Sequence, residues 1–477
     1  MIRRTSSAAA VVCALVVSAC GDQAGAPGAT APDARPSLSV QAFSVQAFDE
    51  GSYLVRASGS KFPAGFAARV RELGGTVTFA HDDAGVGAVS GMTEQTAAEL
   101  ATMNGIGGVD QDDFTTITVP SELSVESADL TIESPSAPNT AVFYPRQWHL
   151  RQIEAPAAWA AGRRGAATTR VGILDTGLGY THPDLAGRVD LAASVSFVPS
   201  DDAVVQSMFP GAHPIADLHY HGTHVGATVS SNALAAAGVT SGVRLVGIKV
   251  CNRNGSCPTS GVLRGVLYAA DQGLAVANLS IGGTFERRQA SATGGNDPSF
   301  IATINKVYTY ANRKNTLVVV SAGNSAIDMD NDRNGYKAYC SAPTVICVSA
   351  TGPTSRTTVN GPWQNPDALA SYSNYGVSAI NVAAPGGNGA SSVTAACSRF
   401  SLAIPICRTG TFVLGIRGTS MASPHVSALA ALISEDVGNS PAQIRARLEQ
   451  SADDLGAPGA DPAYGKGRIN VRKALGL

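Results

Sequence analysis

The sequence predicts an α/β fold: a doubly wound, mostly parallel sheet with helices on both faces, preceded by a small α+β unit. Three observations carry this prediction. Short apolar segments alternate with helical stretches from residue 147 onward, as in parallel sheets covered on both faces. A β-α-β-β-α-β pattern lies upstream of them. A polar stretch rich in Pro and Ser, residues 119–146, separates the two parts.

Residues 1–19 have the pattern of a signal peptide. Arg3 and Arg4 precede an apolar run from Ala8 to Ala19. This run is shorter than the roughly 18 residues that a membrane-spanning helix needs, and no later apolar run reaches that length. We therefore expect export of the chain and no transmembrane helix.

The signal segment ends in Val17–Gly21, which resembles a bacterial lipobox. That resemblance implies lipidation of Cys20, which would become the first residue of the processed chain. The alternative is a plain secretory signal in which Cys20 stands by chance. Residues 20–48 are rich in Ala, Pro, Gly and Ser, a composition typical of a flexible tether.

Residues 49–118 are expected to form the small α+β unit, with a ferredoxin-like order of elements. Strands are predicted at 53–57, 76–80, 85–91 and 108–118, and helices at 64–73 and 96–103. Many proteins share this pattern, so the pattern alone indicates no function. The polar residues that follow it, 119–146, are expected to be an exposed, cleavable linker.

Residues 147–477 are expected to form the main domain. Its predicted strands are 170–174, 244–250, 276–281, 317–322 and 345–350, and its clearest helices are 261–272, 300–313 and 420–435. Ligands of such sheets gather at the carboxyl ends of the strands. Asp175 directly follows the first of these strands and Asn324 follows the fourth, so both are placed where a site is expected.

Three separate segments, ILDTG (173–177), HGTHV (221–225) and GTSMASP (418–424), contain the members of a proton-relay set. A serine hydroxyl is a poor nucleophile unless an imidazole takes its proton and a carboxylate orients that imidazole. Asp175, His221 and Ser420 supply these three groups. Their order along the chain, Asp–His–Ser, is the order found in subtilisin.

Together with SAGN at 321–324, these motifs resemble the subtilisin-like serine proteases (subtilases, peptidase S8) from about Gln147 to the C terminus. The resemblance implies an endopeptidase that acts through an acyl-enzyme. Residues 49–118 resemble the inhibitor I9-like propeptide that precedes many subtilases. This implies a zymogen that cuts itself within residues 119–146 and is inhibited by its own propeptide.

The resemblance assigns a role to each motif residue. Ser420 is the nucleophile, although an N-cap serine is the alternative for a residue that opens a helix. His221 is the general base, and His224 is expected to be a supporting histidine. His219 is a rival for the base. An HxxH pair can bind metal, but the HExxH glutamate is missing here.

Asn324 is expected to donate to the oxyanion together with the Ser420 backbone N–H, the alternative being an asparagine in a turn. The segment Ser280-Ile281-Gly282-Gly283 resembles the strand along which subtilases bind substrate. Asp184 matches a family carboxylate that is structural or linked to calcium.

Beyond the signal and lipobox cysteines, the chain has six cysteines in three sequence-local pairs, Cys251–Cys257, Cys340–Cys347 and Cys397–Cys407. Export makes disulfides reasonable, although six cysteines allow 15 connectivities and spacing does not prove the local set. Zinc is a weak alternative, because the sequence has no CxxC motif.

Catalysis of this kind needs no cofactor, but a structural calcium ion is a further expectation. DNDRNG at 330–335 matches the first half of a calcium loop, with Asp330, Asp332 and Asn334 as candidate ligands. Ser341 stands where an EF-hand has glutamate. A solvated acidic turn is the alternative. The stretch after the His221 motif also looks shorter than in subtilisin, which argues against the family's usual strong calcium site.

A net charge of −2 and a pI of about 6.4 give no reason to expect nucleic acid or an anionic membrane surface as partner. We expect a monomer that is secreted, with a precursor anchored through Cys20, and that acts on protein or peptide substrates. Two other functions remain open: a catalytically silent binding protein on the same scaffold, and a different acyl-transfer reaction such as ligation.

Overall fold

The computed structural model describes residues 51–120, 123–130, 137–282, 285–286, 297–332, 335–336, 339–340 and 342–477. The predicted signal segment, the tether and Cys20 lie outside these residues, as do Gly283, Asn334 and Ser341. Within the described part of the chain, no helix is both long enough and apolar enough to cross a membrane.

The small unit has the predicted order of elements. Its elements are β1 (Tyr53–Ala57), α1 (Phe66–Glu72), β2 (Thr76–His81), β3 (Val86–Ser90), α2 (Glu94–Ala101) and β4 (Ile106–Gln111). The four strands form one sheet in the order β2-β3-β1-β4. Thr93 caps α2 by accepting a hydrogen bond from the Thr96 N–H, which satisfies one of the free donors at the start of that helix.

The chain that leaves the small unit differs from the prediction. Instead of one strand over 108–118, β4 ends at Gln111 and a new strand, β5 (Phe114–Thr116), pairs with the main domain. A further strand, β6 (Ser124–Ser127), lies within the stretch predicted to be an exposed linker. The polar composition of this stretch does not reveal β6, because its partner strand is distant in sequence.

The main domain contains nine helices and fourteen strands among the described residues. Its helices are α3 (Trp148–Gln152), α4 (Ala155–Ala160), α5 (Pro199–Met208), α6 (His221–Val229), α7 (Thr259–Asp271), α8 (Asp297–Arg313), α9 (Thr419–Val437), α10 (Pro441–Gln450) and α11 (Val471–Ala474). The strands of its central sheet are β7 (Arg170–Asp175), β8 (Val195–Ser196), β9 (Arg244–Lys249), β11 (Val276–Leu279), β13 (Leu317–Ser321), β15 (Val345–Thr351) and β18 (Val382–Pro385). Its remaining strands are β10 (Ser256–Pro258), β12 (Phe285–Glu286), β14 (Gly335–Tyr336), β16 (Ser355–Arg356), β17 (Trp363–Gln364), β19 (Val393–Ala396) and β20 (Phe412–Ile416).

The central sheet has seven strands in the order β18-β15-β13-β11-β7-β9-β8, and every neighbouring pair is parallel. Alternate side chains enter two separate cores. In β13, Leu317 and Val319 pack in the core that includes α9, whereas Val318 and Val320 pack in the core that includes α7 and α8. Burial on both faces explains why these strands read as continuously apolar runs.

The described residues form three disulfides, each between cysteines that are close in sequence. They join Cys251 to Cys257, Cys340 to Cys347 and Cys397 to Cys407. The first holds the ends of the turn that leads into β10. The third closes the loop between β19 and β20.

A buried pair of histidines joins α3 to α9. His425 Nδ1 lies 2.8 Å from the Met421 carbonyl oxygen, an acceptor, so this nitrogen carries the proton. His425 Nε2 is therefore an acceptor, and His149 Nδ1 donates to it at 2.8 Å. Both side chains are buried. Burial lowers the pKa of His425 to about 4. Burial and the neighbouring His425 hold the pKa of His149 well below its usual value.

This pair makes the fold sensitive to acid. Unfolded histidines take up protons near pH 6.5, whereas the buried pair takes them up only at lower pH. The stability that depends on this pair should thus be fully present above pH 6.5 and should be lost as the pH falls toward 4. For His425, with a pKa of about 4, this loss is about 2 kcal/mol between pH 7 and pH 5, and His149 adds a loss in the same direction.

We expect His149→Gln to lower the free energy of unfolding at pH 7 but to reduce its loss on acidification. Urea unfolding at pH 7 and pH 5 measures both quantities. A variant that loses as much stability as wild type between these pH values would contradict the argument. Asn331→Ala, at an exposed position, is the control and should match wild type at both pH values.

Candidate active site

Asp175 and His221 form a buried, hydrogen-bonded pair at the carboxyl end of the central sheet. Asp175 is the last residue of β7, and His221 is the first of α6. His221 Nδ1 lies 2.8 Å from Asp175 Oδ1 and 3.0 Å from Oδ2, and both side chains are 0% exposed. The carboxylate thus fixes the ring so that Nε2 faces away from it. Within the described residues, His221 Nε2 has no hydrogen-bond partner.

A second buried carboxylate, Asp217, joins the two elements that carry this pair. Its Oδ1 accepts from Thr176 Oγ1 at 2.8 Å, and its Oδ2 accepts from the Thr223 N–H at 3.0 Å. Thr176 Oγ1 in turn accepts from the Gly222 N–H at 3.0 Å. Burial raises the pKa of Asp217, although its hydrogen bonds to Thr223 and Thr176 act in the opposite direction. Asp217 was not predicted from the sequence.

Gly222 allows α6 to approach β7 this closely. A Cβ atom on Gly222 would lie 2.2 Å from the Gly177 carbonyl oxygen and 3.0 Å from the Asp175 Cβ. No side chain fits at such distances without a shift of the main chain. The glycine after the histidine in HGTH is therefore a requirement of the Asp175–His221 distance.

Ser420 is the second residue of α9 and is 6% exposed. Its Oγ donates to the Ser280 carbonyl oxygen at 3.0 Å. Pro424 stands four residues later and has no N–H to offer, so the Ser420 carbonyl lacks its helical partner. Ser280 Oγ donates to that carbonyl at 2.8 Å. Ser280, predicted to lie on the substrate strand, thus contacts Ser420 at two points.

Asn324 follows β13, and its side-chain amide is oriented by Thr419. Asn324 Oδ1 accepts from the Thr419 N–H at 2.9 Å and from Thr419 Oγ1 at 2.8 Å. With its oxygen held in this way, Nδ2 points to the cleft. There it donates to the Thr118 carbonyl oxygen at 3.1 Å. Thr419 is a positioning residue that the sequence analysis did not single out.

The chain from the small unit lies in the cleft as an extended strand. β5 pairs antiparallel with β10, with Thr116 opposite Ser256 and Phe114 opposite Pro258. The Ile117 N–H donates to the Gly255 carbonyl at 2.8 Å. β10 thus binds an extended peptide on the side that leads to Thr118. Its three residues are too few to be recognised as a binding strand from the sequence.

Ile281 and Gly282 follow Ser280 directly; Ile281 is buried, and Gly282 packs against the main chain of Ser321. His224 is buried, and its Nε2 donates to the carbonyl oxygens of Val393 and Leu414. Burial lowers the pKa of His224 to about 3.

The rival histidine, His219, is stacked on Tyr220 with ring centroids 4.1 Å apart. Its Nδ1 faces the His221 N–H at 3.4 Å. Burial and the neighbouring His221 lower the pKa of His219 to about 3.

The described residues contain no group of three or more His, Cys, Asp or Glu side chains placed to hold a metal ion. Of the candidate calcium ligands, Asp330 accepts from both the N–H and the hydroxyl of Ser378. Asp332 lies in the same turn, and Asn334 is outside the described residues. Calcium binding by Asp330, Asp332 and Asn334 therefore stays a prediction.

Asp184 is also bound by N–H groups. Its Oδ1 accepts from the N–H groups of Leu234 and Ala235 at 2.8 and 2.9 Å, and its Oδ2 accepts from that of Ala236 at 3.0 Å. Asp184 is 0% exposed. Three donors converging on one carboxylate stabilise its charge without a cation. Of the two roles expected for Asp184, this geometry favours the structural one.

Comparison with known proteins identifies the family. Residues 166–467 match the family model described as the subtilase family (peptidase S8). Thermitase of Thermoactinomyces vulgaris is 32% identical over 341 residues, which cover 71% of this chain and 99% of thermitase. Subtilisin Savinase of Lederbergia lenta is 30% identical over 331 residues, which cover 69% of this chain and 97% of that protein. The chain is a subtilase.

Two solved structures share the fold of this subtilase at lower identity. The epidermin leader peptide processing serine protease of Staphylococcus aureus has a TM-score of 0.69 at 22% identity, covering 89% of this chain and 98% of its own. Fervidolysin of Fervidobacterium pennivorans, a keratinolytic enzyme, has a TM-score of 0.66 at 22% identity, covering 90% of this chain and 61% of its own. The predicted fold class is confirmed. Family membership makes the protein a serine-type endopeptidase, a class that needs no catalytic cofactor.

We expect Asn324→Ala to lower kcat while changing KM little. Removal of the corresponding kind of donor in subtilisin lowers kcat by about 10²–10³-fold, because the donor acts on charge that develops only in the transition state. Steady-state kinetics on a peptide substrate measure both constants. Asn331→Ala, in the loop that follows, is the control and should retain wild-type kcat. Normal turnover in the Asn324 variant would show that another group stabilises the oxyanion.

We expect Asp184→Asn to lower the free energy of unfolding by about 2 kcal/mol, because it turns an amide NH₂ toward a backbone N–H and removes a charge-assisted acceptor. Thermal unfolding with added calcium and with EDTA distinguishes the two roles of Asp184. A structural carboxylate gives the same difference between wild type and variant in both conditions. A difference that disappears in EDTA would show that Asp184 is a calcium ligand.

Proposed function

We propose that this subtilase is an exported endopeptidase, made as a zymogen that cuts its own chain between Thr118 and Val119. The observation that carries the proposal is the hydrogen bond from Asn324 Nδ2 to the Thr118 carbonyl oxygen. A peptide bond of the chain itself is thereby presented to the oxyanion donor. Thr118 is the last residue of the predicted propeptide, so the bond lies at the start of the predicted linker.

The proposed reaction uses Asp175, His221 and Ser420 as a triad. The Ser420 hydroxyl turns from the Ser280 carbonyl to His221 Nε2, which takes its proton as Oγ attacks the Thr118 carbonyl carbon. The imidazolium is stabilised by Asp175. Asn324 Nδ2 and the Ser420 N–H stabilise the oxyanion. His221 then protonates the Val119 amine as the C–N bond breaks, which leaves an ester between Thr118 and Ser420. Water hydrolyses this ester, with His221 again acting as base.

The contacts of the small unit support its role as a propeptide. The Asp112 carboxylate accepts from the Ser260 N–H at 2.9 Å in the first turn of α7, where free N–H groups favour an anion. Lys306 of α8 donates to the carbonyls of Ala57 and Gly59 at 2.8 and 2.6 Å. Held on both helices, the unit keeps β5 in the cleft. The cut propeptide would thus remain as an inhibitor until it dissociates or is degraded.

An extracellular location is part of the proposal. Three disulfides are consistent with an oxidising compartment. Lipidation of Cys20 would place the anchor upstream of the Thr118–Val119 bond. The precursor would then be bound to the membrane, and self-cleavage would separate the anchor from the protease.

Ser420→Ala should abolish peptide hydrolysis and leave the chain uncut between Thr118 and Val119, because the variant has no nucleophile to form the acyl-enzyme. Wild-type enzyme should acquire Val119 as its N terminus, as determined by N-terminal sequencing. The Ser420→Ala chain should stay in the membrane fraction while wild type appears free. Ser434→Ala, in the last part of the same helix, is the control and should process normally.

A different N terminus in wild type would show that Thr118–Val119 is not the bond that is cut. Cleavage at that bond in purified Ser420→Ala protein would show that Ser420 is not the nucleophile. Fully active wild-type enzyme that keeps its lipidated N terminus would show that maturation does not release it.

A further inference from the structure

Residues 123–130, here called the strap, lie on the side of the cleft that follows the proposed cleavage bond. β6 within the strap is the third strand of a sheet in the order β19-β20-β6. It pairs antiparallel with β20, with Ser124 opposite Gly415 and Ser127 opposite Phe412. The Ala128 N–H extends the pairing by donating to the Thr411 carbonyl at 2.8 Å. β20 leads directly into the Ser420 motif, so the strap occupies the path of residues that follow a scissile bond.

Apolar side chains and one ion pair fix the strap to the main domain. Leu123 and Val125 pack against the core that contains α9. Ala128 and Leu130 pack against a smaller cluster that includes Phe143, Ala235, Ala236 and Val413. Glu126 and Arg146 form an ion pair at 2.5 Å with both side chains mostly buried.

Gly415 leaves room for Ser124 on the β20 edge. A Cβ atom on Gly415 would lie 2.5 Å from Ser124 Oγ, so a side chain at residue 415 would require the Ser124 side chain to rotate. The strap is held on this edge by main-chain hydrogen bonds, in the manner of an added strand.

All these anchors lie on the C-terminal side of the Thr118–Val119 bond. We propose that the strap remains docked on β20 after this bond is cut, and that it excludes substrate residues from this part of the cleft. The proposal rests on the proposed function. The strap stays covalently joined to the main domain, so a substrate must compete with a strand held at an effective concentration of about millimolar. The partner of the β20 edge is thus a segment of the same chain.

The consequence is a limit on the number of substrate residues that the enzyme binds after the scissile bond. Four residues of the sequence, 119–122, separate the proposed cut from the strap, and cleavage frees the Val119 amine. The substrate residues that replace them, the first four after the scissile bond, can then be bound. Residues further along meet the docked strap instead of β20. Extending a substrate beyond its fourth residue on this side should therefore add nothing to kcat/KM.

The proposal is tested with two internally quenched peptides. The enzyme is expressed as the full chain and used after it has processed itself. Both peptides carry the sequence of residues 114–122; the longer one continues with that of residues 123–128. We expect wild type to cleave them with kcat/KM values that agree within about twofold. Glu126→Lys places a second cation beside Arg146 and so weakens the docking of the strap. In this variant kcat/KM for the longer peptide should be about fivefold higher than for the shorter one. Val125→Asp should act in the same direction by removing an apolar anchor.

Ser127→Lys is the matched control. It adds the same charge to the same strand, but at an exposed position, and should leave the two peptides equal. Hydrogen exchange gives a second readout: amides of residues 123–130 should exchange slowly in processed wild type and faster in Glu126→Lys and Val125→Asp.

Several results would overturn the proposal. One is a wild-type kcat/KM that is at least fivefold higher for the longer peptide. Another is equal kcat/KM for both peptides in Glu126→Lys and Val125→Asp. The others are rapid exchange of the strap amides in processed wild type, or a wild-type N terminus beyond Leu130. Failure of the proposed function has a different signature, because the shorter peptide would then not be cleaved at all.

Discussion

The buried hydrogen bonds around Asp217 are the constraint on which the site depends. This carboxylate accepts hydrogen bonds from the residue after Asp175 and from a residue in the first turn of the His221 helix, so it fixes β7 relative to α6. Gly222 removes the side chain that would keep them apart. A buried polar network is costly when incomplete and rigid when complete. Here its rigidity holds an aspartate and a histidine in register at the end of a parallel sheet.

Ser420, the proposed nucleophile, is positioned by a different arrangement. A proline inside a helix removes one hydrogen bond from the preceding turn. In this chain the carbonyl that Pro424 leaves unpaired is that of Ser420, and the Ser280 hydroxyl donates to it. The segment that follows β11 and the first turn of α9 are thereby linked at Ser420. The sequence MASP thus has a structural meaning that goes beyond recognition of the family.

Much of the fold was predictable, because its determinants are local or periodic. Apolar runs located five of the seven central strands, β7, β9, β11, β13 and β15, to within one or two residues, and the order of elements in the small unit was also predicted. The short edge strands β8 and β18 were not predicted. The motifs identified Asp175 and His221, which the structure joins by a buried hydrogen bond, and Ser420, which it places in the first turn of α9. Asp217 and Thr419 were not predicted, because their importance comes from hydrogen bonds to partners that only the fold brings close. β5, β6 and β10 were missed for a related reason: each is short, and its pairing is with a strand distant in sequence.

The two short strands that receive the chain in the cleft, β10 and β20, have one further consequence. A sheet edge offers unpaired N–H and C=O groups to any extended chain, and such edges promote association between molecules. In the folded chain both edges are covered by the protein's own residues, β10 by β5 and β20 by β6. The proposed cleavage would expose at β10 an edge of only three residues, which the Cys251–Cys257 disulfide restrains. The cover of the longer edge, β20, lies after the proposed cleavage bond and would stay attached to the protease, which would protect the enzyme against aggregation at the longer of the two edges.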